Sequence, residues 1–181
     1  MVNDLLLAAE LQHRPRAGQR VDLVALAADV VDGLQPLAHE HAVALAVRPV
    51  QGTGSPTING AEVALRRAIT SLIDNAIAHT PATGLVEVTV STCPNQVAVT
   101  VSDSGEGLDV TDTHRLVERF SRGTSTGDGR RFGLGLSLVD EIARSHSGVL
   151  SVDGGPGTGA RFTLTFPTGA GTTDQDRGAD F

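Results

Sequence analysis

The chain has 181 residues, a formal net charge of −7 and a single cysteine, Cys93. That length suits one sizeable domain with its own core, and one thiol excludes an internal disulfide framework. The acidic balance and the lack of Trp and Tyr argue against a broad nucleic-acid or anionic-membrane surface, and no apolar run reaches the roughly 18–20 residues that span a bilayer.

In chain order, residues 1–12 read as the end of a helix, and Pro15 and Gly18 then break it. Arg20-Val21-Asp22 reads as a short strand. From Leu23 to His41 apolar residues recur at helical spacing, with Pro36 expected to kink or shorten the last turns. Ala42–Val47 alternates like a strand, and Gln51-Gly52-Thr53-Gly54-Ser55-Pro56 reads as a turn-rich connector. Asn59 is the expected N-cap of a helix over Ala61–His79, which Pro81 and Gly84 stop. Leu85–Ser91 and Gln96–Ser102 alternate and are joined by a short turn, as in a β-hairpin.

Asp103-Ser104-Gly105-Glu106-Gly107-Leu108 follows as a glycine loop, then a short helix over Thr113–Arg119 and a polar loop over residues 121–131. A helix is expected over Gly135–His146, then strands at Val149–Val152 and Arg161–Phe166 around a glycine turn. The order predicts an α+β fold. It is a two-layer α/β sandwich, with a mixed, mostly antiparallel sheet of about five strands and about three helices on one face. It lacks the regular strand–helix alternation of a doubly wound fold. The expected domain covers residues 20–167, after a leading helix and linker over 1–19 and before a polar tail over 168–181 without apolar periodicity.

Three places carry candidate chemistry. Ser71, Asn75 and His79 recur every four residues along one side of a helix whose apolar face is Leu72, Ile73, Ala76 and Ile77. Asn has poor mid-helix propensity, so the row is either a solvated strip or an amide oxygen placed for a magnesium ion beside phosphates. Asp103 ends a strand before two turn glycines. It is either an Asx-turn residue or a carboxylate that accepts an exocyclic amine. Gly133-Leu134-Gly135-Leu136 precedes an apolar helical run. It is either a loop that merely needs glycine or a turn that aims free N–H groups and a positive dipole end at a phosphate. Because all 14 cations are Arg, a cationic phosphate contact has to come from Arg.

The ordered set resembles the catalytic, ATP-binding domain of sensor histidine kinases, of the superfamily with the Bergerat fold. The stretch Ser71 to Thr80 is similar to the family's N box, Asp103 to Leu108 to its G1 box, Leu116 to Gly123 to its F box. Gly133 to Leu136 and Gly157 to Phe162 are similar to its G2 and G3 boxes. The head Asp4–Leu11 looks like the end of the family's dimerisation helix.

The resemblance implies that Asn75 holds Mg²⁺ against the phosphates of ATP and that Asp103 receives the adenine amino group. His79, Gly105, Gly107 and Leu108 complete the nucleotide site on its near side. Residues 121–132 form an ATP lid, and Gly133, Leu134, Gly135 and Leu136 bring the lid and a helix N-terminus to the phosphates. Arg122, Arg130 and Arg131 are candidate phosphate contacts. Four positions depart from the family pattern. They are Ser71 for the first Asn, Ala78 for a Lys, Arg131 for a Gly, and Ala160 for a hydroxyl residue.

Related ATPases of the same fold carry a Glu one helical turn before the magnesium Asn, where it activates water. A Ser hydroxyl at that position is a poor general base near neutral pH. The resemblance therefore implies transfer of the γ-phosphoryl group to a positioned histidine rather than efficient hydrolysis. None of His13, His39, His41, His79, His114 and His146 has the family's acceptor context; His39-Glu40 comes nearest. The acceptor is expected in a dimerisation domain of a longer kinase. A response regulator is expected downstream, with no nucleic acid and no direct membrane contact. The chain is expected to be a monomer in isolation, and the cytoplasmic part of a membrane-bound sensor. An anti-sigma-factor serine kinase and a non-catalytic nucleotide-binding module are the alternatives.

Overall fold

The computed structural model describes residues 19–48, 50–108 and 135–168. The expected leading helix, the helix over 113–119, the lid, and Arg122, Arg130, Arg131, Gly133 and Leu134 lie outside the described residues.

Strand β1 (Arg20–Asp22) runs straight into helix α1 (Leu23–Glu40). Asp22 makes the junction: its carboxylate accepts the N–H groups of Val24 and Ala25 at 2.8 and 3.2 Å, satisfying two donors that the first turn leaves over. The helix passes through Pro36, which stands in its last turns, and ends where Ala42 takes a positive φ of 53°. Next come β2 (Ala44–Val47), the two-residue β3 (Gln51–Gly52), and β4 (Thr57–Asn59). Two corrections fall here. The connector after Val50 contains two short strands, whose brevity hides any alternation. Asn59 is not a helix cap: it ends β4, paired with Arg20 across a two-stranded ribbon. The helix that follows, α2 (Glu62–His79), has Ala61 at its N-cap position and no side-chain cap there.

Strands β5 (Leu85–Cys93) and β6 (Gln96–Asp103) form the hairpin, each longer than its alternating run. Helix α3 (Gly135–Ser145), β7 (Val149–Gly154) and β8 (Ala160–Pro167) complete the described fold. The main sheet has six strands, ordered β2-β5-β6-β8-β7, with β3 beside β2 on the same edge of β5. β2 and β3 are parallel to β5, and the other pairings are antiparallel.

Alternation decides the layers. Val86, Val88 and Val90, then Val97, Val99 and Val101, then Phe162, Leu164 and Phe166 are buried against the helices. Between them, Thr100 and Thr163 meet across β6 and β8 with hydroxyls 3.2 Å apart on the outer face. The helices answer with Leu65, Ala68, Ile69, Leu72, Ile73, Ala76 and Ile77 from α2, and Leu136, Val139, Ile142 and Ala143 from α3. Arg66 bonds Glu62 at 3.0 Å and Asp29 at 3.4 Å, joining α2 to α1 at the surface, where such pairs contribute little. Thr168, at the head of the expected tail, is buried and donates its N–H to the Asn95 carbonyl at 3.0 Å.

Candidate nucleotide site

The sheet delivers Asp103 to the edge of the helical layer. It lies two residues beyond Val101 in β6, so its side chain leaves the strand on the buried face. Its Oδ1 accepts the Gly105 N–H at 2.9 Å and the Ala160 N–H at 3.1 Å. The first bond is an Asx turn, one of the two readings that the sequence leaves open for this residue. The second ties the end of β6 to the start of β8. Departure from the usual hydroxyl at 160 leaves this link intact, because the backbone makes it.

Two glycine loops interlock beside the carboxylate. Gly157 donates its N–H to the Glu106 carbonyl at 2.7 Å. Gly107 and Gly159 have φ of 77° and 75°, and a Cβ on either would strike the opposite strand of chain, at the Gly155 and Asp103 carbonyls respectively. The loop is pinned on its other side by Leu108, 2% exposed in the core. A groove of about 290 Å³ opens along this seam, lined by Asp103, Asp153, Thr158 and Arg161 among others. It follows the β7–β8 turn rather than the helical layer.

Helix α2 provides the facing wall. Ser71, Asn75 and His79 are half-buried, while the intervening positions toward the sheet are fully buried. Gly105 packs on the C-terminal end of this row, where a Cβ would collide with the His79 carbonyl and lie 2.9 Å from Asp103 Oδ1. Gly135 packs on the other end: a Cβ there would lie 3.0 Å from Ser71 Oγ. Ser71 and His79 are eight residues apart, about 12 Å along a helix axis. The site therefore has two ends on one helix. One is a carboxylate and glycine loop, the other is the N-terminus of α3, and Asn75 stands one turn from each.

Asp74, beside Asn75, has its carboxyl raised above the usual range by partial burial against its neighbours. Its side chain remains exposed overall, so water moderates the effect. Among the described residues, no group of three or more His, Cys, Asp and Glu side chains is arranged to hold a metal.

A family model described as "Histidine kinase-, DNA gyrase B-, and HSP90-like ATPase" matches residues 60–170, from the start of α2 to just past β8. The chain belongs to this family. Within it, the chain is of the kind found as the catalytic, ATP-binding domain of sensor histidine kinases. It is 32% identical over 170 residues to the probable sensor histidine kinase TcrY of Mycobacterium tuberculosis, covering 92% of this chain and 35% of that protein. It is 31% identical over 175 residues to the phosphate regulon sensor protein PhoR of Pseudomonas aeruginosa, covering 92% of this chain and 38% of that protein. The chain thus spans little more than a third of the length of these relatives.

Among solved structures, full-length ShkA in complex with AMPPNP aligns with a TM-score of 0.75 at 28% identity, covering 92% of this chain and 35% of that one. The catalytic domain of histidine kinase ThkA, nucleotide-free, has the same fold with a TM-score of 0.67 at 19% identity, covering 83% of this chain and 95% of that one. Among the described residues, no helix is long and apolar enough to cross a membrane.

The local sequence around His146 carries no signal of its structural part. His146 is buried, and its ring reaches back to Ala61 before α2. Helical spacing cannot reveal that contact, because the two residues are 85 positions apart.

Proposed function

We propose that this domain binds Mg-ATP with its base at the Asp103 end and its phosphates at the Gly135 end of the α2 row. It then donates the γ-phosphoryl group to a histidine of a dimerisation domain, for relay to a response regulator. The observation that carries the reading is the pairing of Asp103 and Gly105 with the His79 end of the α2 row and of Gly135 with its Ser71 end, about 12 Å apart. That span suits a nucleotide reaching from base to phosphate.

Asp103 Oδ1 is occupied by two backbone N–H groups, so Oδ2 is the atom that would receive the adenine amine. A guanine, which presents a carbonyl oxygen there, would be repelled by the same carboxylate. Gly105 and Gly107 keep the loop low beside the base, with Leu108 anchoring it, and His79 borders this end of the cleft. Gly135 and Leu136 begin a helix, and the positive end of its dipole suits anionic oxygen. Arg122, Arg130, Arg131, Gly133 and Leu134 are proposed contacts from the lid side.

The residues fit a magnesium ion. The Asn75 amide supplies a hard oxygen donor on the half-buried row between the two ends, and the phosphates would supply further oxygens. Bound there, the ion would neutralise charge on the phosphates. The protein's own part is positioning. Ser71, one turn before Asn75, lacks the basicity to activate water, so the phosphoryl group is reserved for an acceptor brought to it.

The test is trans-phosphorylation. The 181-residue chain, radiolabelled ATP and a dimerisation domain taken from a similar sensor kinase are combined. Label on the acceptor histidine, abolished by Asn75→Ala, supports the reading. Tight ATP binding with no transfer to any such domain would favour the non-catalytic module instead.

A further inference from the structure

The bonds around His146 define its protonation. Its Nδ1 lies 2.8 Å from the Ile142 carbonyl, which can only accept, so Nδ1 carries the proton. Its Nε2 lies 3.0 Å from the Ala61 backbone nitrogen, which can only donate, so Nε2 is bare. Ser145 Oγ stands 3.0 Å from Nδ1 and donates to the same Ile142 carbonyl at 2.8 Å. Phe166 packs edge-on to the ring at 6.3 Å, and a Cβ on Gly60 would lie 2.5 Å from ring Cδ2. The ring thus accepts at Nε2 and is held among these neighbours.

Its partner is the N-cap residue of α2, a helix with no side-chain cap of its own. The imidazole therefore does from the end of α3 part of what a cap does from within a sequence. The two helices run antiparallel, with His146 touching Ala61 at one end and Gly135 touching Ser71 at the other. The path from Gly135 to His146 is about 16 Å and that from Ala61 to Ser71 about 15 Å, so the two contacts match in length.

We infer that His146 is a positioning residue for the phosphate end of the site. Its bare Nε2, bonded to the Ala61 N–H, sets the axial register of α3 against α2 and so the distance from the Gly135 N-terminus to Asn75. The inference rests on the nucleotide reading above. It makes a distinction that a general stabilising role does not: the phosphate end depends on this register, whereas the base end is built from β6 and the β7–β8 turn.

The experiment compares the 181-residue wild type with H146L and H146Q, measuring Kd for Mg-AMP-PNP and for adenosine by calorimetry, with folding checked by circular dichroism. H146L removes the acceptor, and should weaken Mg-AMP-PNP on the order of tenfold or more while leaving adenosine within about twofold. H146Q carries an amide oxygen near the Nε2 position, and should keep Mg-AMP-PNP within about threefold of wild type. Nitrogen NMR of the wild-type ring should show the Nδ1–H tautomer. A ring protonated at Nε2 would overturn the inference without any variant. So would unchanged Mg-AMP-PNP affinity in folded H146L, an equal loss of both ligands, or an H146Q variant that binds Mg-AMP-PNP as weakly as H146L. If H146L does not fold, the tautomer and H146Q decide. Wild type that binds neither ligand defeats the nucleotide reading itself, and this inference with it. Wild type that binds both, with the wrong split in the variants, defeats only this inference.

Discussion

Asp103 Oδ1 accepts the Ala160 N–H at 3.1 Å, so a carboxylate at the end of β6 holds the first residue of β8. The same oxygen accepts the Gly105 N–H. One side chain therefore has a structural oxygen and, on the proposed reading, a functional one. Asp103→Asn separates them, because an amide retains the Oδ1 acceptor and replaces Oδ2 with a donor. Calorimetry should show ATP affinity falling roughly 10–100-fold in Asp103→Asn, the equivalent of one hydrogen bond to a charged group, while the fold is retained. Unchanged ATP affinity would remove the adenine assignment. Asp103→Ala should lose affinity and, having also lost two backbone bonds, melt earlier than Asp103→Asn.

Asn75→Ala should act at the other end. It removes one oxygen ligand from the half-buried row without opening the core. ATP binding should become much less responsive to Mg²⁺, by roughly tenfold or more, with adenosine affinity unchanged. A titration in which Mg²⁺ strengthens ATP binding equally in variant and wild type would count against the metal role.

Gly159→Ala should destabilise the domain. The backbone there is left-handed, with φ of 75°, and a Cβ would collide with the Asp103 carbonyl. The conformation alone costs about 1–2 kcal/mol for a residue with a side chain, and the collision adds to it. Denaturant unfolding should show a lower midpoint. ATP affinity should fall too, because relief of the collision moves Asp103.

Asp74 gives a pH prediction. Its folded-state carboxyl is raised by partial burial, so folding disfavours the ionised form. The contribution is most favourable below the unfolded-state value and declines as pH rises through the folded-state value. Asp74→Asn abolishes that decline. Relative to wild type, the variant should gain stability above the carboxylate range and gain none in acid, and the gain should be small because the side chain is exposed. Unfolding curves at several pH values check the sign; a variant that loses stability only at neutral pH would refute it.

The candidate site is read from the chain because its signals are local. The four-residue spacing of Ser71, Asn75 and His79, the carboxylate and paired glycines after an alternating strand, and the glycine-leucine run that leads into α3 are each patterns of a few neighbouring residues. The layer order was legible for the same reason, since Val86–Val90, Val97–Val101 and Phe162–Phe166 alternate strictly. The short strands β3 and β4 were not, because two or three residues carry no period. Asn59 caps no helix: residue preference describes an isolated helix end, whereas here Asn59 ends β4 and pairs with Arg20.

Sequence alone anticipated the three described helices, the hairpin and the candidate residues along α2 and after β6, since periodicity and turn chemistry act over a few neighbours. Tertiary structure decided what those residues touch. It bonded Asp103 to Ala160 across 57 residues, set Gly135 against Ser71, and gave α2 a cap from His146 at the end of another helix. Those contacts depend on how the sheet orders β6, β8 and β7 and on how α3 lies along α2. Burial of the shared core fixes that packing, and no local propensity encodes it.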